Sequence, residues 1–210
     1  MVKQIKVTKG EQAGTVYKRE EKRILIPSKQ QYQETIKQLS EQNLMTTLIA
    51  VRLGCELGMS RIEVCNAEVN NIDRYHKRGL WVEVAKHIKR DGKFVMRSRE
   101  IPINIGLYSL LMNYIDQDTK YVLKRERKGN ITKPMQPLQI NYLYEQSNIA
   151  WSTHKSRHYF KEQLWTWMRN NRQIDSALTK ELMGHSKTVD ESYGGISWDY
   201  KLETIDKVFV

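Results

Sequence analysis

One stretch near the end of the sequence combines cations, proton-transfer groups and a hydroxyl nucleophile. His154 and Arg157 are three positions apart, which places them on one face of a helix. His185 follows a glycine, and Tyr193 comes eight residues later. An arginine fork matches the oxygens of a phosphate, an imidazole moves protons, and a tyrosine oxygen can attack phosphorus. These residue types together point to attack on a phosphodiester.

A second arginine could join this group from far upstream in the chain. Ser60 and Glu63 have the spacing of a capping box, so a helix is expected to begin at Arg61. The free N–H groups of a first helical turn favour an anion, and a guanidinium there would lie beside that anion. Arg61 is therefore a candidate phosphate ligand, and an ordinary surface arginine is the alternative.

A lysine could come from a predicted β-hairpin between residues 80 and 103. Alternating apolar residues in 80–84 and 99–103 predict two strands, and Asp91-Gly92 is a turn signal between them. The hairpin tip is basic and could lie in a groove of DNA. Three of its lysines could reach a phosphate oxygen there: Lys86, Lys89 and Lys93.

Helices are predicted to position most of these residues. Apolar residues at helical spacing and capping signals predict helices that begin near residues 28, 43, 61, 108, 138, 153, 177, 188 and 198. Ser28 with Gln31 forms the first capping box, Ser176 is expected to cap the helix at 177, and Ser197 the last helix. Residues 117–137 are polar and basic, which predicts a loop.

The composition fits a polyanionic partner. The chain has 210 residues, a net charge of +11 and a pI of about 9.6, which favours salt-dependent binding to nucleic acid. No apolar run approaches the roughly 18 residues that span a bilayer, and no amphipathic anchor helix is evident. The absence of an apolar signal segment at the N-terminus predicts a cytoplasmic protein. Cys55 and Cys65 lack metal-ligand spacing and are expected to pack in the core.

The first 26 residues differ in character from the rest of the chain. They are rich in Lys, Arg and Glu and have little apolar periodicity. This predicts a basic arm, a short strand or the remnant of a linker over 1–26. Residues 27–210 contain the helix and strand patterns and are predicted to form one domain.

The order of these motifs resembles the catalytic domain of the tyrosine recombinases, the phage integrase family. The resemblance implies an α+β, mainly helical fold with a small antiparallel hairpin, the fold of DNA breaking-rejoining enzymes. It covers roughly residues 27–210 and rests on an arginine at a Gly-x-x-Arg-Ile-Glu helix start, a hairpin lysine, His154-x-x-Arg157-His158, Gly184-His185-Ser186 and the tyrosine that follows.

The resemblance implies that Tyr193 attacks a DNA phosphate. The attack forms a 3′-phosphotyrosyl intermediate and releases a 5′-hydroxyl. Lys86 would protonate the leaving 5′-oxygen. The phosphotyrosine keeps the energy of the broken bond, so neither a metal nor another cofactor is implied. A 5′-hydroxyl from a second strand then reverses the step, which exchanges strands.

The resemblance also implies roles for the arginines and histidines. Arg61 and Arg157 would hold the non-bridging oxygens of the phosphate. His154 and His185 would position the phosphate and assist proton transfer. Glu63 would orient the site by bonding to Arg61 or to a neighbour, and the remaining histidine of the motif, at 158, would support packing.

The sequence departs from the family pattern at several intervals. Ser60 stands where the family places its first arginine, and Arg61 comes one position later. His185 and Tyr193 are one residue closer than is usual in the family. Lys86 lies 25 residues after Arg61, near the usual interval, and is preferred on that ground. The hairpin is longer than most, so Lys89 and Lys93 remain alternatives.

The segment before residue 27 is a further departure, because most recombinases of this family have a helical core-binding domain there. The chain is expected to be either a catalytic-domain fragment or a short recombinase. The leading hypothesis is a site-specific recombinase of a mobile element, an integrase, excisionase or invertase. Its expected partner is double-stranded DNA, with a homo-tetramer on DNA, a monomer allowed without it, and no membrane.

Two other functions remain open. A type IB topoisomerase shares the phosphotyrosine chemistry but relaxes supercoils as a monomer. A non-catalytic DNA-binding protein with a relic site is the second alternative, and the presence of all six site residues argues against it. A zinc site built from His154, His158 and His185 is not expected, because no cysteine or carboxylate completes it.

Overall fold

The computed structural model describes most of the chain. The described residues are 2–6, 16–20, 26–90, 93–116, 118–123, 133–184 and 195–209, with the backbone alone for 2–6, 16–20, 84–90 and 93–97. They form eight α-helices, one short 3-10 helix and four strands. His185, Tyr193, the predicted helix start at residue 188 and the hairpin turn at 91–92 lie outside the described residues.

Two strands lie in the first twenty residues. β1 (Val2–Lys6) pairs antiparallel with β2 (Val16–Glu20), so that Lys6 is opposite Val16. The sequence predicts an arm or one short strand here, and the structure has a pair of strands. The division into an arm at 1–26 and a domain at 27–210 stays a prediction.

The first two helices begin the core. α1 (Lys29–Glu41) starts at the predicted capping box, since the side chains of Ser28 and Gln31 each accept the other's backbone N–H. α2 (Met45–Glu56) is mostly buried and packs against α6 (Thr153–Asn170). A Cβ at Gly54 would lie 2.8 Å from the Cβ of Ser156, so the glycine permits this close helix crossing.

A buried carboxylate joins α1, α2 and the start of α4 (Ile105–Tyr114). Glu56 is 2% exposed and accepts hydrogen bonds from the Tyr32 hydroxyl and from Asn104 Nδ2, the latter at 2.6 Å. Arg52 binds it bidentately, at 2.7 and 3.0 Å. With these partners the buried charge is paired and hydrogen-bonded, which is the condition under which such a charge is tolerated.

The predicted β-hairpin is present. β3 (Gly79–Arg90) pairs antiparallel with β4 (Lys93–Pro102). Between the pairs Val84–Arg97 and Ile88–Val95, β3 advances four residues while β4 advances two, so β3 bulges there. Lys86 lies within this bulge.

The remaining α-helices begin within about three residues of predicted starts: α3 (Arg61–Cys65), α4, α5 (Pro137–Gln146), α6, α7 (Ser176–Leu182) and α8 (Trp198–Phe209). The 3-10 helix Val69–Asn71 was not predicted. The predicted cap of α7 is wrong by one residue, because Asp175, not Ser176, accepts the N–H of Leu178, at 2.8 Å. The cap of α8 is confirmed, since Ser197 Oγ accepts the N–H of Tyr200.

The last helix packs back onto the base of the hairpin. Asp206 of α8 binds Arg78 at 2.7 Å and accepts the N–H of Ile105 at 3.0 Å, so it bridges the residues that flank the two strands. Trp198 stacks on His76 with 4.6 Å between ring centroids. The apolar side of α8 completes a second core cluster with α6 and α7.

Two smaller predictions concern the core and the membrane. Cys55 and Cys65 are buried and unpaired with each other, as the packing prediction requires. Among the described residues no helix combines the length and apolar character needed to cross a membrane.

Gly58, between α2 and α3, gives a test of this packing. Its φ is +61°, and a Cβ would lie 2.5 Å from Cδ1 of Phe160. Gly58→Ala should therefore lower the free energy of unfolding by on the order of 3 kcal/mol, measured by urea denaturation. Gly106→Ala is the matched control, because its nearest neighbour would be 3.5 Å away, and it should change stability by less than about 1 kcal/mol. Equal stability of the two variants would contradict this packing.

Candidate active site

Three of the predicted site residues meet at one cavity. The cavity has a volume of about 620 Å³ and is bounded by the start of α3, one side of α5 and the first turn of α6. Arg61, His154 and Arg157 line it. Two helix N-termini and two guanidinium groups therefore border the same space, which favours an anion.

Arg157 is held from three sides. Its Nη1 donates to the carbonyl oxygen of Gly58 at 2.5 Å and to Oε2 of Glu63 at 3.4 Å. Its Nη2 donates to the carbonyl oxygen of Met183 at 2.5 Å. Burial lowers the pKa of Arg157, and the Glu63 charge opposes that shift. The residue thus links α6 to the start of α3 and to the end of α7, next to His185 in the sequence.

Glu63 is the carboxylate at the centre of these contacts. Its side chain is 1% exposed, and Oε2 accepts the backbone N–H of Ser60 at 2.6 Å, as the capping box predicts. The same oxygen lies 3.4 Å from Arg157 and 3.3 Å from Arg99. The sequence predicts that Glu63 binds Arg61 or a neighbour, and among the described residues its arginine partners are Arg157 and Arg99.

Arg99 is a site-adjacent cation that the sequence reasoning did not identify. It lies on β4 opposite Val82 and is 8% exposed. Burial lowers the pKa of Arg99 to about 10, Glu63 opposes the shift and Arg157 adds to it, so the group stays charged at neutral pH. The alternation of residues along the strand indicates that Arg99 points inward, because Arg99 lies on the same face of β4 as the buried Ile101.

Arg61 occupies the first position of α3, as predicted. It lines the cavity, and within the described part of the chain its guanidinium has no hydrogen-bonded or ion-paired partner. Its charge is felt one helical turn away: burial raises the pKa of the Cys65 thiol to about 11, and Arg61 opposes that rise. The guanidinium is therefore available to a ligand in the cavity.

His154 and His158 form a hydrogen-bonded pair on α6. Their Nε2 atoms are 3.0 Å apart, so one imidazole donates and the other accepts, and the rings meet edge to face. Burial lowers the pKa of His158, and the positive charges of His154, Lys161 and Arg157 lower it further. The sequence predicts a packing role for His158, and the structure adds a direct bond to the exposed ring of His154.

The buried hydroxyl of Ser156 connects the first turn of α6 to neighbouring side chains. Ser156 Oγ accepts the indole N–H of Trp151 at 3.1 Å and lies 3.1 Å from the hydroxyl of Tyr144 on α5. All three side chains are buried. These bonds fix α6 against α5, and so they fix the angle at which His154 and Arg157 face the cavity.

The structure gives less information on the other three predicted residues. Lys86 is placed by its backbone in the β3 bulge, and its side chain is not described. His185 and Tyr193 lie outside the described residues. The described chain is fixed up to the residue before His185, because Gly184 ends α7 with a φ of +65° and Arg157 binds the preceding carbonyl.

The model of the Phage integrase family matches residues 17–190, which is most of the chain. Comparison with curated protein sequences found no match.

Solved structures share the fold. The integrase from mycobacterium phage Brujita matches with a TM-score of 0.65 and 15% identity, over 91% of this chain and 60% of that one. The integrase of the Tn1549 transposon gives 0.57 and 16%, over 85% and 63%. The catalytic core of lambda integrase gives 0.51 and 14%, over 77% and 91%.

The lengths of chain that match show which part of the integrases this protein resembles. The chain spans about three fifths of the length of the phage Brujita and Tn1549 proteins and nearly matches the lambda catalytic core in extent. The predicted fold, mainly helical with a small antiparallel hairpin, is confirmed as that of the tyrosine recombinase catalytic domain. The chain belongs to the phage integrase family.

Proposed function

We propose that this protein is a site-specific DNA recombinase, of integrase, excisionase or invertase type, that cuts and rejoins double-stranded DNA through a phosphotyrosine on Tyr193. One observation carries the proposal. Arg157 is held rigidly by Gly58, Glu63 and Met183 in a cavity that Arg61 and His154 also line. Family membership supplies the remaining support.

The bonds of Arg157 leave donors for a phosphate. Its Nη1 is used by Gly58 and Glu63, and one N–H of Nη2 is used by Met183. Among the described residues, Nε–H and the second N–H of Nη2 have no acceptor. Two donors on one planar group can hold the non-bridging oxygens of a phosphate and stabilise the charge that develops there. Arg61 adds a second cation that lines the same cavity.

The covalent steps conserve bonds and protons. The Tyr193 oxygen attacks phosphorus and loses its proton to a neighbouring base, for which His154 and His185 are the candidates. The bond from phosphorus to the 5′-oxygen breaks, and Lys86 gives that oxygen a proton. The bulge on β3 supports this choice of lysine, because bulges redirect a strand next to active sites. Attack by a 5′-hydroxyl of another strand reverses the sequence.

The assembly is proposed by analogy with relatives. Lambda integrase is known as a tetramer bound to a Holliday junction, and the Tn1549 integrase in complex with circular intermediate DNA. We extend this to the present chain as a homo-tetramer on DNA, acting in the cytoplasm on sites of a mobile element. Its net charge of +11 is consistent with a DNA partner, and residues 1–26 would be a basic arm beside the catalytic domain 27–210.

Replacing the nucleophile should separate binding from chemistry. Tyr193→Phe removes the attacking oxygen, so it should retard duplex DNA normally in a gel and yet form no SDS-resistant protein–DNA adduct. The substrate is a nicked suicide duplex, obtained by trapping the wild-type chain on sequences that flank its gene. Tyr75→Phe, at an exposed tyrosine, is the matched control and should keep adduct formation. An adduct with Tyr193→Phe would refute the assignment.

The hairpin lysines can be distinguished by the leaving group. Lys86→Ala should slow cleavage of a normal phosphodiester, on the order of 10²-fold for a lost general acid. A 5′-bridging sulfur leaves without a proton, so this substrate should restore the rate. Lys89→Ala and Lys93→Ala serve as controls and should show neither effect. Rescue of one of these variants instead would move the acid to that lysine.

Arg61 can be tested against its unusual spacing. Arg61→Ala should lower the rate of adduct formation about 10²- to 10³-fold at saturating DNA, the usual loss for one oxyanion donor. Arg74→Ala, at an exposed arginine stacked on Trp81, is the control and should leave the rate within about threefold. An unchanged rate for Arg61→Ala would remove this residue from the site.

A further inference from the structure

Arg99 is a buried charge beside the cavity that the proposed chemistry does not use. Its Nη2 lies 3.4 Å from the carbonyl oxygen of Gly58 and 3.3 Å from Oε2 of Glu63. These are the same two acceptors that Nη1 of Arg157 uses. Two arginines from different elements, β4 and α6, thus compete for one carboxylate and one carbonyl.

The sharing changes the charge that faces the cavity. Glu63 alone would neutralise Arg157, and an ion pair of no net charge attracts a phosphate weakly. With Arg99 included, two guanidinium charges stand against one carboxylate, and the cluster keeps a net charge of +1. Charges this close to a partly buried site interact strongly, because the effective dielectric constant is well below that of water.

We propose that Arg99 is a positioning residue of the phosphate site. It binds the Glu63 carboxylate and offsets its negative charge, and so leaves the positive charge of Arg157 available to the scissile phosphate. The inference deepens the proposed function and rests on it. Arg99 does not itself touch the phosphate, since its Nε and Nη1 are buried. It acts through Glu63 and Arg157.

A contribution to the stability of the fold does not explain why an arginine is buried at position 99. Its Nε and Nη1 have no hydrogen-bond partner among the described residues, although both atoms are buried. Buried donors without partners destabilise a fold, and an apolar side chain of similar volume is often as stable or more stable at such a position. A charge kept under these conditions is better explained by what it does to its neighbours.

The other charges around the cavity define what a test must separate. Arg61 adds a guanidinium from α3, His154 an imidazole from α6, and Glu145 a carboxylate from α5. Within the described part of the chain, none of these groups contacts Glu63, so changes at Arg99 and Glu63 act mainly on the shared cluster. The double replacement of both residues can therefore restore the net charge without touching the rest.

Orthophosphate is the probe for the first experiment, because it requires no knowledge of the DNA site. Its affinity is read from the rise of the thermal midpoint of the full chain with phosphate concentration. The part of that rise which Arg157→Ala abolishes is assigned to this cavity. Arg99→Met should weaken this component about tenfold, and Arg99→Lys, which keeps the charge, should weaken it less than about threefold.

The net charge of the cluster of Glu63, Arg99 and Arg157 predicts a second effect that a packing role for Arg99 does not predict. Glu63→Gln keeps the capping box but removes the negative charge, so it should tighten orthophosphate binding about tenfold. The double variant Glu63→Gln with Arg99→Met has the wild-type net charge, and its affinity should return to within about threefold of wild type. If Arg99→Met does not fold, Glu63→Gln alone decides, and unchanged or weaker binding would overturn the proposal.

Arg52→Met is the control for loss of an ion-paired, partly buried arginine. Arg52 is paired to Glu56 on α2, does not line the cavity, and its side chain is 15% exposed, against 6% for Arg99. It should lower the thermal midpoint and leave the cavity component of phosphate binding unchanged. An Arg99→Lys variant as weak as Arg99→Met would show that charge is not the cause, which would overturn the inference.

The second experiment uses DNA and separates this inference from the proposed function. On a suicide duplex with a methylphosphonate at the cleavage point, the phosphorus group carries no charge to be matched. Arg99→Met should form adduct at least about tenfold slower than wild type on the phosphate duplex, and lose much less on the methylphosphonate. Equal losses on both would overturn the role of Arg99. A wild-type chain that forms no adduct on any duplex would refute the proposed function, and the orthophosphate series would still decide for Arg99.

Discussion

The geometry of the site depends on which acceptors the guanidinium of Arg157 binds. Arg157 is largely buried, and burial alone would disfavour its charge. The carbonyls of Gly58 and Met183 and the carboxylate of Glu63 compensate for the lost water. Because these acceptors belong to the turn before α3, the end of α7 and α3 itself, the charge is stabilised only when all three segments have assembled. The fold and the proposed phosphate site therefore form together.

Local signals in the sequence predicted the parts of the fold that are locally determined. The capping boxes at Ser28 and Ser60 are complete within four residues, and both helices begin where they indicate. The cap of α7 was misassigned because Asp175 and Ser176 are adjacent and both are good caps, and only the backbone geometry chooses between them. The strand pair β1–β2 was missed because neither strand has an apolar alternation.

The site residues fall into the same two groups: those that local spacing predicts, and those that depend on contacts between distant parts of the chain. His154 and Arg157 are on one helical turn, so spacing alone brought them together. Arg99 was missed because its partner Glu63 is 36 residues away, and no periodicity reports a contact across that distance. The carbonyls of Gly58 and Met183 were invisible for another reason: a backbone acceptor is present at every residue, and the fold alone selects which ones are used.

The docking of α8 has a mechanical consequence for the two groups that would handle the attacking and leaving oxygens. Asp206 ties α8 to Arg78 and Ile105, which lie just before β3 and just after β4. Tyr193 precedes α8 by only five residues, a chain length of at most about 18 Å, and Lys86 belongs to β3. One aspartate thus connects the helix that follows the proposed nucleophile to the hairpin that carries the proposed acid, so a shift of the hairpin base would be transmitted to α8.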